Sequence, residues 1–252
     1  ITTRRLPLFE CKNCSYQASL LTGTVMQGSR TDLRKWFVAM FLFSRENNDL
    51  TAKRLQKTIH VTYKTAWLMM TKLRTAVHRA EASTKLAGKI RINHALHNKS
   101  KYSSSYHRTN VQPLLIGAQL DQFGQPAYVK LKQLQKNHIQ GISVNGLGLR
   151  KFIVENICSL NQSQWHNIEC VIKPFSRMRC PILKHIASAA SIWINATFHG
   201  VSQKHLQKYL DEYCYRWNLI TAGKSIFKSL FKLCCNTPAE TYKKITQLSA
   251  HG

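Results

Sequence analysis

The sequence predicts an α+β protein. Apolar residues recur at the 3.6-residue period of an amphipathic helix over residues 30–81 and again over 182–250. Between these regions, residues 86–175 contain short segments in which apolar and polar side chains alternate, which is typical of β-strands. The chain has 252 residues, 44% of them hydrophobic, which is enough for one or two domains with buried cores. A disordered basic tail is excluded, because such tails are poor in apolar residues.

The N-terminal segment, residues 1–29, shows little helical periodicity and contains the sequence CKNC at residues 11–14. Two cysteines at this spacing form half of a tetrahedral zinc site, which usually takes its ligands as two such pairs. The chain contains no second Cys-x-x-Cys. Cys11 and Cys14 are therefore predicted to be half of a zinc ribbon whose other pair lies upstream of Ile1. Two ordinary thiols in a turn are the alternative.

Residues 30–81 are predicted to form three helices. Ser29 or Thr31 caps a first helix that extends to Phe43, and Thr51 caps a second helix over residues 52–59. A short turn at residues 60–61 follows, and Thr62 caps a long third helix over residues 63–80. The short helix, the tight turn and the long helix have the outline of a helix-turn-helix, whose second helix places its first residues in the DNA major groove.

This helical region is strongly basic. Residues 30–80 contain eleven Lys and Arg against three acids, which favours binding to double-stranded DNA. The residues predicted to bind DNA are Thr62, Tyr63, Lys64, Thr65, Lys72 and Arg74. Of these, Lys72 and Arg74 are expected to contact phosphates. A plain helical hairpin with a solvated basic face is the alternative.

Residues 86–175 are predicted to form an α/β layer. Strands are expected over residues 89–93, 111–121, 127–134 and 168–172, with a helix over 147–157 before the last of them. In the third strand, Lys130 and Lys132 would share one face with Tyr128. We predict that the three neighbouring histidines of this region lie on the surface or in a loop and do not bind a metal; they are His94, His97 and His107.

The C-terminal part is again predicted to be helical. Helices are expected over residues 182–194, 202–217 and 224–234, and Pro238 stands at the start of a last helix, where proline is tolerated.

The charge of the whole chain points to a polyanion as the partner. Lys and Arg number 37 against 11 Asp and Glu, so the net charge is +26 and the isoelectric point about 10.1. A compact protein with this charge repels itself unless a polyanion is nearby. We expect nucleic acid rather than a membrane surface. RNA is the weaker alternative to DNA, because the Lys/Arg-Gly-Phe patterns of common RNA-binding domains are missing.

Other totals limit the class of protein. The longest apolar run, residues 36–43, is far shorter than the roughly 20 residues of a membrane-spanning helix, and no signal peptide is recognisable. Eight cysteines at irregular spacing do not resemble a secreted disulfide framework. We therefore expect a cytoplasmic protein without a membrane partner. The sequence does not decide between a monomer and a homo-oligomer.

Three segments, taken in order, carry a family resemblance. The first contains CxxCSYQ at residues 11–17, TGT at 22–24 and LxxWFxA at 33–39; the second is VTYKTAW at 61–67; the third contains FHGVS at 198–202, HLQxYLDE at 205–212 and YRWN at 215–218. Together they resemble bacterial ISXO-like insertion-sequence transposases, which combine a zinc ribbon, a helix-turn-helix and an RNase H-like DDE domain. The resemblance extends over most of the chain, from Glu10 to about Tyr242.

The resemblance implies three domains and a biological setting. It implies a partial zinc ribbon over residues 1–29, a helix-turn-helix over 30–81, and an RNase H-like domain with a helical C-terminal part over 86–252. It further implies a part in DNA transposition, binding to the double-stranded ends of an insertion element, and a place at the bacterial nucleoid.

The catalytic acids of that family are substituted in this chain. In the family these acids hold two Mg²⁺ ions that activate the attacking oxygen and stabilise the leaving one. Asn93 stands where the first acid follows the first strand, and Ser163 stands where the second precedes a tryptophan. The third position belongs to residues 184–194, which contain no acid. The resemblance therefore implies a DNA-binding protein that retains no catalytic residue and does not bind Mg²⁺.

Two alternatives remain open at this point. The protein is an active transposase if other acids have taken over the metal, for which Asp121, Glu155 and Glu169 are the candidates. It is a non-enzymatic regulator if the helix-turn-helix only occupies DNA sites.

Overall fold

The computed structural model describes residues 8–46, 49–98, 111–158, 167–173, 176 and 180–240. It confirms the prediction of a mixed helical and β-stranded protein. The helices are α1 (Leu33–Phe43), α2 (Ala52–Ile59), α3 (Tyr63–Ser83), α4 (Gly146–Asn156), α5 (Pro181–Phe198), α6 (Gln203–Thr221) and α7 (Ile226–Cys235). The strands are β1 (Leu8–Glu10), β2 (Gln17–Ser19), β3 (Ile90–Asn98), β4 (Val111–Leu120), β5 (Pro126–Gln133), β6 (Ile139–Gln140), β7 (Ser143–Val144) and β8 (Ile168–Val171).

The chain forms two compact units. Unit 1 contains residues 1–76 and 226–252, and unit 2 contains residues 77–225. Helix α7 is therefore part of unit 1, although the division made from the sequence places it in the domain over residues 86–252. Within the described ranges, none of the helices is both long and apolar enough to cross a membrane.

Unit 1 combines a small β-hairpin with helices. Strands β1 and β2 pair antiparallel, with Leu8 opposite Ser19. Helix α1 begins after Asp32, whose carboxylate accepts a hydrogen bond of 2.8 Å from the Arg34 N–H. The prediction that Ser29 or Thr31 caps this helix is therefore wrong, because the capping residue is Asp32. The Ser29 hydroxyl instead accepts a hydrogen bond from the indole of Trp36, whose ring is buried.

Unit 2 is built on a four-stranded sheet in the order β5-β4-β3-β8. Strands β3, β4 and β5 are antiparallel neighbours, and β8 lies parallel to β3 with Ile168 opposite Ile90. Apolar residues from both faces of the sheet form two cores. The core on one face includes residues of α5 and α6, such as Leu183 and Leu210. The core on the other face includes Phe152 of α4.

Strand β3 corrects two predictions from the sequence. It extends to Asn98, and His94 and His97 are buried within it, so the predicted surface or loop position is wrong for both. His94 Nε2 lies 2.7 Å from the Ile142 carbonyl oxygen, and His97 Nδ1 lies 2.8 Å from the Ser191 hydroxyl. Both faces of β3 are covered by other parts of the protein. The alternation of polar and apolar residues within the strand could not predict this. His107 lies outside the described residues.

Candidate functional site

The turn between α2 and α3 is fixed by local hydrogen bonds within unit 1. Thr51 Oγ1 accepts from the Arg54 N–H at the start of α2, and Thr62 Oγ1 accepts from the Thr65 N–H at the start of α3, both at 3.2 Å. His60 ends α2 in the left-handed conformation, at φ 49° and ψ 63°. Its carbonyl oxygen accepts a hydrogen bond of 3.0 Å from Lys35 Nζ of α1. The first turn of α3 is thereby held against α1 and α2.

Exposure separates the residues predicted to bind DNA into two groups. Thr62, Tyr63 and Lys64 are exposed at the start of α3, and Tyr63 keeps 55% of its surface accessible. Thr65 is half-buried, with its hydroxyl 2.9 Å from that of Thr62. These four residues form one short surface, hereafter the α3 entry surface.

Lys72 and Arg74, the residues predicted to contact phosphates, are buried. Lys72 Nζ donates to the carbonyl oxygens of Val25 and Gln27, at 3.3 and 3.4 Å, and burial lowers the pKa of its ammonium group. Lys72 therefore ties the segment before α1 to α3, and in this structure its side chain does not face solvent. Nothing local to α3 predicts this contact, because the carbonyl groups come from more than 40 residues earlier.

Cys11 and Cys14 lie in the turn between β1 and β2, and both thiols are exposed. The turn is closed by two backbone hydrogen bonds of 2.9 Å, from Ser15 N–H to the Cys11 carbonyl and from Cys11 N–H to the Tyr16 carbonyl. Backbone N–H groups of Asn13 and Cys14 donate to the Cys11 sulfur and lower the pKa of its thiol. A lowered pKa favours the thiolate that zinc binds. No group of three or more metal-ligating side chains occurs among the described residues, so the turn supplies only half of a site.

Asn93 lies on β3, on the sheet face that α5 covers, and is completely buried. Its Nδ2 donates to the Cys180 carbonyl oxygen at 3.3 Å, at the start of α5. Its Oδ1 is buried and accepts no hydrogen bond from any described residue. Ser163, the second substituted position, lies outside the described residues.

The buried residues of α5 are almost all apolar. The helix contains no acid, and its buried residues are Leu183, Ile186, Ala187, Ala190, Ser191 and Ile194. The surroundings of Asn93 thus offer one amide oxygen and an apolar helix face. Mg²⁺ prefers carboxylate and water oxygens, so the residues present here do not fit a two-metal site.

The three acids considered as replacement ligands serve separate local roles. Asp121 caps the turn between β4 and β5, accepting from the N–H groups of Phe123 and Gln125 at 2.9 and 2.8 Å. Glu155 lies on α4, beside Lys151 of the same helix at 3.8 Å.

Glu169, the third of these acids, lies on β8 and accepts a hydrogen bond of 2.9 Å from Arg91 Nε on β3. Asp121 follows β4, on the opposite side of β3, so two strand spacings of about 4.8 Å each separate the two backbones. All three acids lie among the described residues, where no group of three or more metal-ligating side chains occurs.

Sequence reasoning missed a buried polar cluster in unit 2. Asp211 on α6 is buried and accepts hydrogen bonds of 2.9 Å from Lys132 Nζ and Gln207 Nε2. Its other oxygen lies 2.6 Å from His78 Nδ1, which donates to it. His78, Lys132 and Gln207 also line a cavity of about 460 Å³. The paired lysines of β5 were the signal for this cluster, since a buried ammonium group needs a counter-charge or hydrogen-bond acceptors.

Glu81, at the end of α3, extends the same cluster. It is 3% exposed, and its Oε1 accepts a hydrogen bond of 2.9 Å from the Tyr128 hydroxyl. Burial raises the pKa of Glu81 to about 7, against the opposing effect of that hydrogen bond. Lys130 Nζ is also buried and donates to the backbone carbonyls of Glu81, at 2.6 Å, and of Thr84. The prediction that Lys130 shares a face with Lys132 places it correctly, but that face is not open to solvent.

Comparison with known proteins gives a match in the second half of the chain. Residues 161–218 match the family described as ISXO2-like transposase domain. The resemblance to insertion-sequence transposases is confirmed. A stretch of 57 residues is also 39% identical to an uncharacterized protein in transposable element ISH50 of Halobacterium salinarum. That stretch is 23% of this chain and 19% of the relative's length. No solved structure matches.

The transposase match includes β8, α5 and most of α6. It contains the third segment on which the resemblance rests, with Asp211 of the buried cluster. Both matches are to proteins of transposable elements. The segments at residues 11–39 and 61–67 lie outside it, so the zinc ribbon and the helix-turn-helix stay predictions.

Proposed function

We propose that this protein is a DNA-binding, transposase-like product of an insertion sequence that no longer cuts or joins DNA. The observation that carries the proposal is the position of Asn93, buried on the sheet face that the acid-free helix α5 covers. Two-metal catalysis needs several carboxylate oxygens directed at one point. Here an amide stands at the first position and a hydrophobic core surrounds it.

The strand order of unit 2 supports an RNase H-like domain within residues 86–252. Three antiparallel strands are followed by a helix and by a fourth strand that lies parallel to the first. A long helix, α5, packs next to this first strand. Together with the match over residues 161–218, this arrangement supports the proposal, in which Asn93 of β3 stands at the position of the family's first acid.

The α3 entry surface supports binding to double-stranded DNA. It presents a basic and an aromatic side chain, Lys64 and Tyr63, directly after a turn that Thr62 caps. Lys53 and Lys57 of α2 are exposed as well. In a helix-turn-helix the first residues of the second helix reach base edges, and nearby lysines neutralise phosphates. Lys72 and Arg74 are left out of the proposed surface, because they are buried.

The proposal includes a zinc ribbon over residues 1–29, for which this segment supplies two of the four ligands. Cys11 and Cys14 would hold the ion, and its chemistry there would be structural, because a closed tetrahedral site leaves no position for substrate. The hydrogen bonds from the backbone to the Cys11 sulfur support this role. The other two ligands have to come from outside the described residues.

Binding to DNA is tested with the full chain and a 30-base-pair duplex at several salt concentrations. The logarithm of the binding constant should fall linearly with the logarithm of salt concentration. Lys64→Ala should weaken binding and reduce the steepness of that line by about 0.9, the value for one lost phosphate contact. Lys89→Ala, at an exposed lysine of unit 2, is the matched control. Equal effects of the two variants would contradict a role for α3.

Loss of catalysis is tested with supercoiled plasmid in the presence of Mg²⁺ or Mn²⁺. We expect no nicking by the natural chain. Asn93→Asp should also give none, because α5 provides no further carboxylate. Nicking that depends on the metal and disappears in Asp121→Ala, Glu155→Ala or Glu169→Ala would overturn the proposal in favour of relocated ligands.

A further inference from the structure

Four phenylalanines form an exposed ladder between α1 and α7 of unit 1. The ring centroids of Phe37 and Phe231 lie 5.4 Å apart, with an angle of 28° between the planes. Phe41 meets Phe227 edge to face at 6.1 Å, and Phe227 and Phe231 lie 6.4 Å apart with nearly parallel rings. These four residues are called the phenylalanine ladder below. Its rings stack on one another and remain partly open to solvent.

The exposed area of the ladder is too small for a stable dimer. Phe37 is 42% exposed and Phe41 is 57% exposed. At roughly 200 Å² for a whole aromatic side chain, these two rings offer on the order of 200 Å² of surface. A stable protein interface buries about 800 Å² on each partner. The ladder therefore suits a ligand with a few flat apolar groups.

The charge around the ladder selects an anionic ligand. Neither α1 nor α7 contains an acid. Arg34, Lys228 and Lys232 are exposed on these helices, one or three residues from a ladder phenylalanine. Two copies of the chain that met at this surface would repel each other, because each would bring the same cations and a net charge of +26. Charge complementarity thus favours a polyanion over a second copy of the chain.

We propose that the phenylalanine ladder binds single-stranded DNA by stacking bases on its rings, with the flanking cations on the phosphates. Unpaired bases expose both π-faces, whereas the bases of a duplex are stacked on one another and present only their edges in the grooves. Aromatic rings beside a basic surface are the common arrangement for binding single strands without sequence preference. The inference goes beyond duplex binding by α3 and does not depend on it.

The test compares two substitutions of Phe41 in the full chain, with a fluorescent twelve-nucleotide oligo-dT as the probe. Phe41→Leu keeps an apolar side chain against Phe227 but removes the π-face, and we expect affinity to fall about 10-fold. Phe41→Trp keeps a stacking ring and should bind within about twofold of the natural chain. Phe123→Leu, at an exposed phenylalanine of unit 2, is the control and should change nothing. Duplex affinity should be equal in all of these proteins, whereas Lys64→Ala lowers duplex affinity.

Two further measurements keep the inference falsifiable if a variant folds poorly. The natural chain, irradiated with an oligonucleotide that carries 5-iodouracil, should give cross-linked peptides from residues 33–43 or 226–235. Cross-links confined to other segments, or unchanged binding by Phe41→Leu, would overturn the inference. It would also be overturned if sedimentation shows a dimer that Phe41→Asp dissociates and that oligo-dT leaves intact. That result would make the ladder an interface between copies.

Discussion

Glu81 should make the stability of this protein fall as the pH rises towards neutrality. An acid whose pKa is higher in the folded chain than in the unfolded chain binds more protons when folded, so folding is favoured at low pH. The pKa of Glu81 rises from 4.5 to about 7 on burial. Its contribution is fully present below pH 4.5 and is lost between pH 4.5 and 7. At 1.36 kcal/mol per pH unit, the loss is about 3 kcal/mol.

The measurement is the free energy of unfolding in urea, followed by circular dichroism from pH 4.5 to 8. Glu81→Gln removes the titrating group but keeps an oxygen to accept the Tyr128 hydrogen bond. The difference between Glu81→Gln and the natural chain should therefore grow by about 3 kcal/mol over this range, in favour of the variant. Glu155→Gln, an exposed carboxylate on α4, should follow the natural chain. Parallel pH profiles for Glu81→Gln and the natural chain would refute the assignment.

Three other substitutions have expected outcomes in the same urea assay. Gly117→Ala should lower the free energy of unfolding by about 1–3 kcal/mol, because its new Cβ would lie 2.6 Å from Phe152 Cζ, whereas Gly146→Ala meets nothing within 4 Å. His60→Gly should raise it by about 1 kcal/mol, since His60 has a left-handed conformation; no gain would contradict this. Lys72→Met should lower it and leave the salt dependence of duplex binding unchanged; a shallower dependence would return Lys72 to the DNA surface.

The elements that the sequence predicts well are those decided by neighbouring residues. The bounds predicted for α2 and the start of α3 agree with the structure, because Thr51 and Thr62 cap their helices through hydrogen bonds only three residues away. The bounds predicted for the third strand lie within one residue of those of β5, because polar and apolar side chains alternate along it. Helix α5 was predicted too short by four residues at its end, where His199 and not Ile194 stops it in a left-handed conformation.

The site could be predicted only in part, because its decisive features are contacts between distant segments. The substitution at Asn93 is visible in the sequence, but its burial follows from α5, which begins almost 90 residues later. Lys72 is a second example. As a basic residue on a basic helix it is predicted to contact DNA, but its ammonium group is buried and bonds to carbonyl groups of a distant segment. Asp211 was noticed only as part of a motif. Its partners His78 and Lys132 lie on α3 and β5, more than 75 residues away.

The distribution of acids explains why one substitution should not restore a metal site. All eleven Asp and Glu residues of the chain lie among the described residues. Two buried acids, Glu81 and Asp211, bond to Tyr128 and to lysine and histidine side chains, which compete with any metal ion for the same oxygens. An aspartate at position 93 would be buried on the sheet face that α5 covers, and α5 contains no acid. A buried carboxylate without a cation is costly, and the group would hold its proton instead.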